Sequence, residues 1–345
     1  MNIPIKNIYY LLSYAWDKLE EAEKLNVSLS DYKDALNLLT RVTVSAGNRL
    51  LKKGLDRFYI ERSKEYTGVK GKIDFKESLR KNSFRHGKAI CTYDEFSTNV
   101  LHNQIIKSVL RILTRTQGVE TRLKKEVWDC FYRFHGVDEI DIKRRHFSQV
   151  KVHRNNFEYD FLLKLSYLIV ESCVLSEENG TYQFKDFSRN EKAMASLFEK
   201  FVFNFYRKEQ SIFKVRREDI RWNATPIADS NPNLLPKMQT DISLEASHRK
   251  IVIDTKYYKN TLSAYFEVEK FHSTNLYQIH AYLSNLEKST SHAMNKNCEG
   301  ILLYPTVQKE IDEAYQMEKH KVRICTVNLM QEWRGIENRL KQLIC

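Results

Sequence analysis

Residues 251–259 read IVIDTKYYK, in which an acid and a lysine two apart close a run that otherwise belongs in a core. Ile251, Val252 and Ile253 are strong strand formers. Successive side chains of a strand point to opposite faces, so Asp254 and Lys256 project from the same one. A chain built around this run needs sheet neighbours to cover it, and it needs a use for charge where the run ends. The pairing places that charge on a face outside the core, so Asp254→Ala is expected to leave the fold intact.

The neighbours are readable from periodicity. MQTDISL (238–244) alternates, with Met238, Thr240, Ile242 and Leu244 on one face and Gln239, Asp241 and Ser243 on the other. The polar turn EASHRK links it to IVIDTKYY, which predicts an antiparallel hairpin. Upstream, residues 190–209 carry Leu197, Phe198, Phe201, Val202 and Phe205 on a helical stripe, with Asn190 as a cap. A helix over 268–286, strands over 300–305 and 323–329 and a terminal helix follow, the pattern of an α/β domain with a mixed sheet. The first half reads as helices over 4–22, 34–53 and 99–115, with strands and base-rich, glycine-punctuated loops over 58–93. These textures predict an α+β domain over 1–155 and an α/β domain over 156–345.

Composition narrows the partners. A formal charge of +12 suggests a polyanion, because neutralising phosphates releases condensed counterions. No apolar run reaches the ~18 residues of a membrane span, and MNIPIKNIYYLLSYAW lacks a secretory core, so a cytoplasmic chain with no membrane partner is expected. Six cysteines stand singly, without a CxxC or His/Cys cluster, which argues against zinc and disulfides. GVKGKI (68–73) has the wrong spacing for a P-loop and lacks its Ser or Thr, so this chain is not expected to bind GTP that way.

Two acids on adjacent strands and a lysine beside the second suit phosphodiester hydrolysis. Magnesium, with manganese as a substitute, takes carboxylate oxygens, and Asp241 and Asp254 are placed to supply them. A bound metal activates water and stabilises charge on the phosphate, and Lys256 orients that water or neutralises the developing oxyanion. Taken alone, a same-face Asp and Lys near a strand end are more often a solvated ion pair worth little.

The pattern D(x12)DxK, preceded by LFEKF and followed by QIHAY, resembles the PD-(D/E)xK nuclease superfamily, with Thr240 where the superfamily's name has proline. On that resemblance Glu199 is the acid of the first core helix and a metal ligand with Asp241 and Asp254. Gln278 and Tyr282 form the QxxxY element of the catalytic set. A structural salt bridge for Glu199, and a packed pair for Gln278 and Tyr282, remain alternatives.

IPIKNIYYLLSYAW, FSRNEKAMASLFEKFVFNF, NLLPKMQTDISL, IVIDTKYYK, EKFHSTNLYQIHAYL and CTVNLMQEW together resemble the McrC family, the nuclease subunits of McrBC modification-dependent restriction systems, a phage defence. The resemblance implies a magnesium-dependent endonuclease acting on methylated double-stranded DNA. It also implies a hexameric McrB-type AAA+ GTPase partner that binds the GTP and whose turnover this chain stimulates. It gives the N-terminal domain the docking role, with Lys70, Lys72, Arg80, Arg85 and Lys88 as candidate contacts. A solvated basic surface or a DNA track are the alternatives for those five. From a different class stands a non-cleaving adaptor that stimulates the ring and binds DNA through a nuclease-like domain.

Overall fold

The computed structural model describes residues 3–17, 34–150, 157–176, 180–258, 263–265, 268–289, 293–306 and 310–345. The chain divides into two compact units, one of Met1–Ala35 with Asp186–Cys345 and the other of Leu36–Lys185.

The first unit is built on a six-stranded mixed sheet. Its order is Asp312–Met317, His320–Asn328, Glu299–Thr306, Lys250–Thr255, Ile242–Glu245 and Lys214–Arg216. The three strands from His320–Asn328 to Lys250–Thr255 run parallel, and the outer pairings are antiparallel. Parallel strands are covered on both faces and so read as unbroken apolar runs. Accordingly Ile251, Val252 and Ile253 are all fully buried. The crossover from Lys250–Thr255 to Glu299–Thr306 carries the Ser273–Glu287 helix, whose Ile279, Tyr282, Leu283 and Leu286 pack with Val252, Leu302 and Ile324. Gly300 permits this approach: a Cβ there would meet Ile279 Cγ1 and Leu283 Cδ1 at 2.9 Å.

The Glu191–Glu209 helix packs against the Lys250–Thr255 strand, and Asn190 caps it by accepting from the Ala193 N–H at 3.1 Å. The Ile5–Ala15 helix docks on it. Asn204 Nδ2 donates to the carbonyls of Tyr14 (2.9 Å) and Ala15 (3.2 Å), and Trp333 stacks on Tyr10 with centroids 4.4 Å apart. Tyr206, buried beneath, donates to the Leu340 carbonyl at 2.9 Å. The unit therefore joins both ends of the sequence.

The second unit combines an antiparallel sheet, in the order Phe58–Tyr66, Ala89–Ser97, Lys72–Ile73, with helices that include Ala35–Lys53, Leu101–Arg115, Thr121–Tyr132 and Phe157–Ser172. On Leu101–Arg115 the expected stripe of Ile105, Ile106, Val109, Leu110 and Leu113 is fully buried. The division differs from the expected break at 155/156 for two reasons. The first helix belongs with the distant sheet, and the Phe157–Ser172 helix stays with the second unit, where Tyr159 donates to Asn103 Oδ1 at 2.7 Å. Helix residues 18–22 of the expected 4–22 lie outside the described residues. The expected helix over 268–286 begins at Ser273, with strand at Val268–Lys270, and the Asp312–Met317 edge strand was not expected from the sequence.

Among the described residues no helix is long and apolar enough to cross a membrane. Cys91, Cys130, Cys298 and Cys325 are buried free thiols.

Candidate active site

The expected hairpin is present, with Ile253 opposite Ile242 and Val252 opposite Ser243. Its first strand is not continuous. Met238–Gln239 pairs with Asp219–Ile220 in a separate ribbon, and Ile242–Glu245 joins the main sheet. Asp241 stands in the break. Continuing the hairpin register by one residue sets Asp241 against Asp254, which brings the two acids together where the pairing of these strands ends.

The backbone explains how Asp241 is held. Lys256 N–H bonds the Leu303 carbonyl of the parallel neighbour at 2.9 Å, so the N–H of the preceding Thr255 points the other way, where the partner strand has ended. A buried N–H without a partner is costly. Asp241 Oδ2 supplies one, accepting from both Thr255 N–H and Thr255 Oγ1 at 2.8 Å.

Asp254 is fully buried, which corrects the expectation of a charged face outside the core. It lies on a parallel strand covered on both sides. Lys256 Nζ stands 2.7 Å from its Oδ2, a charge-assisted contact, and Oδ1 has no hydrogen-bond partner among the described residues. Burial pushes the Asp254 carboxyl up to about 6, with the Asp241 and Glu199 charges adding and the Lys256 ammonium opposing. Burial works against the Lys256 ammonium too, but Asp254 outweighs it and holds the lysine above its ordinary value. Lys256 is a cation at neutral pH, suited to neutralising charge.

Gln278 and Tyr282 form the rest of the site. Lys256 Nζ donates to Gln278 Oε1 at 2.9 Å, Gln278 Nε2 donates to Tyr282 Oη at 2.7 Å, and Tyr282 donates to the Gln239 carbonyl at 3.0 Å. The relay ties the helix to Lys256 at one end and to the Gln239 side of the strand break at the other, and orients the lysine.

Glu199 lies half-buried on the Glu191–Glu209 helix, ion-paired with Arg217. Burial and then the Asp241 charge raise its pKa, with Arg217 opposing, so the structure brings Glu199 near the acids while Arg217 holds its carboxylate. Among the described residues no three His, Cys, Asp or Glu side chains group closely enough to hold an ion, so Glu199 is not gathered with Asp241 and Asp254 as a third ligand. Two carboxylates nevertheless fit a hard divalent cation, which is commonly held by one or two protein acids with water and substrate phosphate. The buried Oδ1 of Asp254, without a hydrogen-bond partner among the described residues, is the observation that such a cation explains.

Thr255 and Arg217 are site residues that the sequence did not disclose. In the second unit Lys70, Lys72, Arg80, Arg85 and Lys88 are all exposed. Three are engaged locally: Lys70 lies over the Tyr93 ring at 4.0 Å, Arg80 pairs with Glu77 at 2.7 Å and Lys88 with Glu65 at 3.8 Å. Gly71 of the rejected P-loop segment serves a turn. Its φ is +74°, and a Cβ would lie 2.4 Å from the Thr92 carbonyl.

Residues 6–305 match the family described as McrBC 5-methylcytosine restriction system component. The chain is 34% identical over 338 residues to a protein of Escherichia coli (strain K12) described as type IV methyl-directed restriction enzyme EcoKMcrBC, covering 98% of this chain and 96% of that one. A chain in a tetradecameric assembly of Thermococcus gammatolerans McrB AAA+ hexamers with bound McrC superposes with a TM-score of 0.59 over 99% of this chain and 75% of its own. At 15% identity that likeness is one of fold.

Proposed function

This chain belongs to the McrBC family of 5-methylcytosine restriction system components, and from that premise we propose that it is the subunit that cuts DNA, at Asp241, Asp254 and Lys256. The Asp254 carboxylate carries the reading. A fully buried carboxylate whose one partner among the described residues is a lysine is costly to keep charged, and strongly perturbed acids of this kind cluster at functional sites.

Asp241 and Asp254 would hold a magnesium ion, which when bound supplies a Lewis acid against the scissile phosphate. Thr255 and the Gln278–Tyr282 relay fix the groups around it. Lys256, kept cationic by Asp254, neutralises charge that builds on the phosphate oxygens. Glu199 stands in reserve under Arg217, a cation that DNA phosphate can attract.

By analogy with the assembly of McrB hexamers and bound McrC, the partner is a hexameric AAA+ GTPase that binds the GTP, and this chain stimulates its turnover. The exposed basic surface of the second unit is the proposed contact. The substrate is double-stranded methylated DNA.

The test mixes wild type or Asp254→Asn with the cognate GTPase, methylated DNA, GTP and magnesium, recording strand breaks and GTP turnover together. Asparagine is the right substitution at a buried position, since alanine would leave a cavity. Breaks are expected to fall at least about 100-fold with turnover preserved, the loss of a transition-state charge contact. Unchanged breaks would move catalysis off this site and leave the non-cleaving adaptor as the reading.

A further inference from the structure

The residue between the acid and the lysine also has work. Resting on the proposed nuclease site, we infer that Thr255 is a positioning residue that clamps the Asp241 carboxylate and sets which of its oxygens meets the metal.

Thr255 gives two donors, its N–H and its hydroxyl, to a single oxygen, Asp241 Oδ2, each at 2.8 Å. No hydrogen bond to Asp241 Oδ1 is found among the described residues. Across the hairpin Lys256 stands 2.7 Å from Asp254 Oδ2. Consecutive residues thus engage one oxygen of each acid and leave the other available. The main-chain donor is present whatever side chain follows Asp254, but the hydroxyl is not. It adds a second bond that stops the Asp241 carboxylate rotating, and the strand gap at 240–241 leaves no other sheet partner to do so.

Groups that orient a ligating carboxylate act on metal affinity, typically 10–100-fold. The test titrates Mn²⁺ alone into the full chain by calorimetry for wild type, Thr255→Val, Thr255→Ser and Asp241→Asn, and measures the magnesium dependence of cleavage with the partner and GTP present. Thr255→Val is expected to weaken Mn²⁺ binding about 10-fold and raise the half-saturating magnesium by a like factor, leaving the rate at saturating metal within about 2-fold. Thr255→Ser, which keeps the hydroxyl, is expected to restore both. Wild-type Mn²⁺ affinity in Thr255→Val, with Asp241→Asn losing it, overturns the clamp and leaves the nuclease site standing. Cleavage retained by Asp241→Asn and Asp254→Asn would instead overturn the site itself. If valine unfolds the chain, Thr255→Ala gives the same comparison, and wild-type affinity there overturns the inference equally.

Discussion

A carboxylate kept out of water is costly, and at Asp254 the cost can be read as a function of pH. Its pKa is raised from 3.8 to about 6. Between those values the folded chain holds a proton that the unfolded chain has lost. Stability therefore falls as pH rises through the window, and the full penalty, about 3 kcal/mol, is present above about pH 6. Asp254→Asn carries no such charge. It is expected to unfold at a higher temperature than wild type at pH 8 and at the same temperature near pH 4; a gain independent of pH would show that charge is not its source. On the proposed nuclease reading the same titration bears on cleavage. Below about pH 6 the acid is neutral and a poor ligand, so cleavage is expected to need progressively more magnesium as pH drops from 7 to 5. At this scale the sequence is partly legible. Asp254 and Lys256 stand out because charge at the end of IVI is expensive unless it is used. Thr255 does not, since threonine is ordinary in a strand, and Arg217 is one cation among 56 Lys and Arg.

Among the elements, the Ser273–Glu287 helix and the parallel strands are set by one close approach. Gly300→Ala would put a methyl 2.9 Å from Ile279 Cγ1 and Leu283 Cδ1, side chains too buried to move aside freely. Overpacking there is expected to cost about 1–3 kcal/mol. Because that helix carries Gln278 and Tyr282, thermal unfolding and cleavage should decline together; full stability in Gly300→Ala would show that the helix yields. The major elements near the site follow from period and caps, as Asn190 and the Glu191–Glu209 helix illustrate. The break at Thr240–Asp241 does not. The alternation of MQTDISL runs through it, and what splits the strand is non-local. The Thr240 N–H bonds the Glu218 carbonyl at 3.0 Å, and the Thr240 hydroxyl accepts from the Glu218 N–H at 3.0 Å.

Over the whole molecule, the sheet unit is assembled from pieces remote in sequence. Composition and texture suggest a simple halving, and no local signal reveals that the first helix crosses to the far unit. The contacts that place it are remote in sequence: Asn204 lies 189 and 190 residues from the carbonyls it holds, and Trp333 stacks on Tyr10. Asn204→Ala would remove the donor shared by the buried Tyr14 and Ala15 carbonyls. A loss of about 1–3 kcal/mol is expected. Hydrogen exchange should show the amides of Ile5–Ala15 opening before those of Lys250–Thr255; equal loss of protection across the unit would mean that helix and sheet unfold as one.

Joining both ends of the sequence in one unit also sets an order of events during synthesis. When Asp254 leaves the peptidyl-transferase centre, Trp333, which stacks on the first helix, is still 79 residues from being made. At translation rates of 5–20 residues per second that interval is roughly 4–16 s. The parallel strands Glu299–Thr306 and His320–Asn328 are made within that interval, and the aromatic seat of the first helix comes after both. The first helix therefore waits for its partner longer than the acid-bearing strand waits for its neighbours.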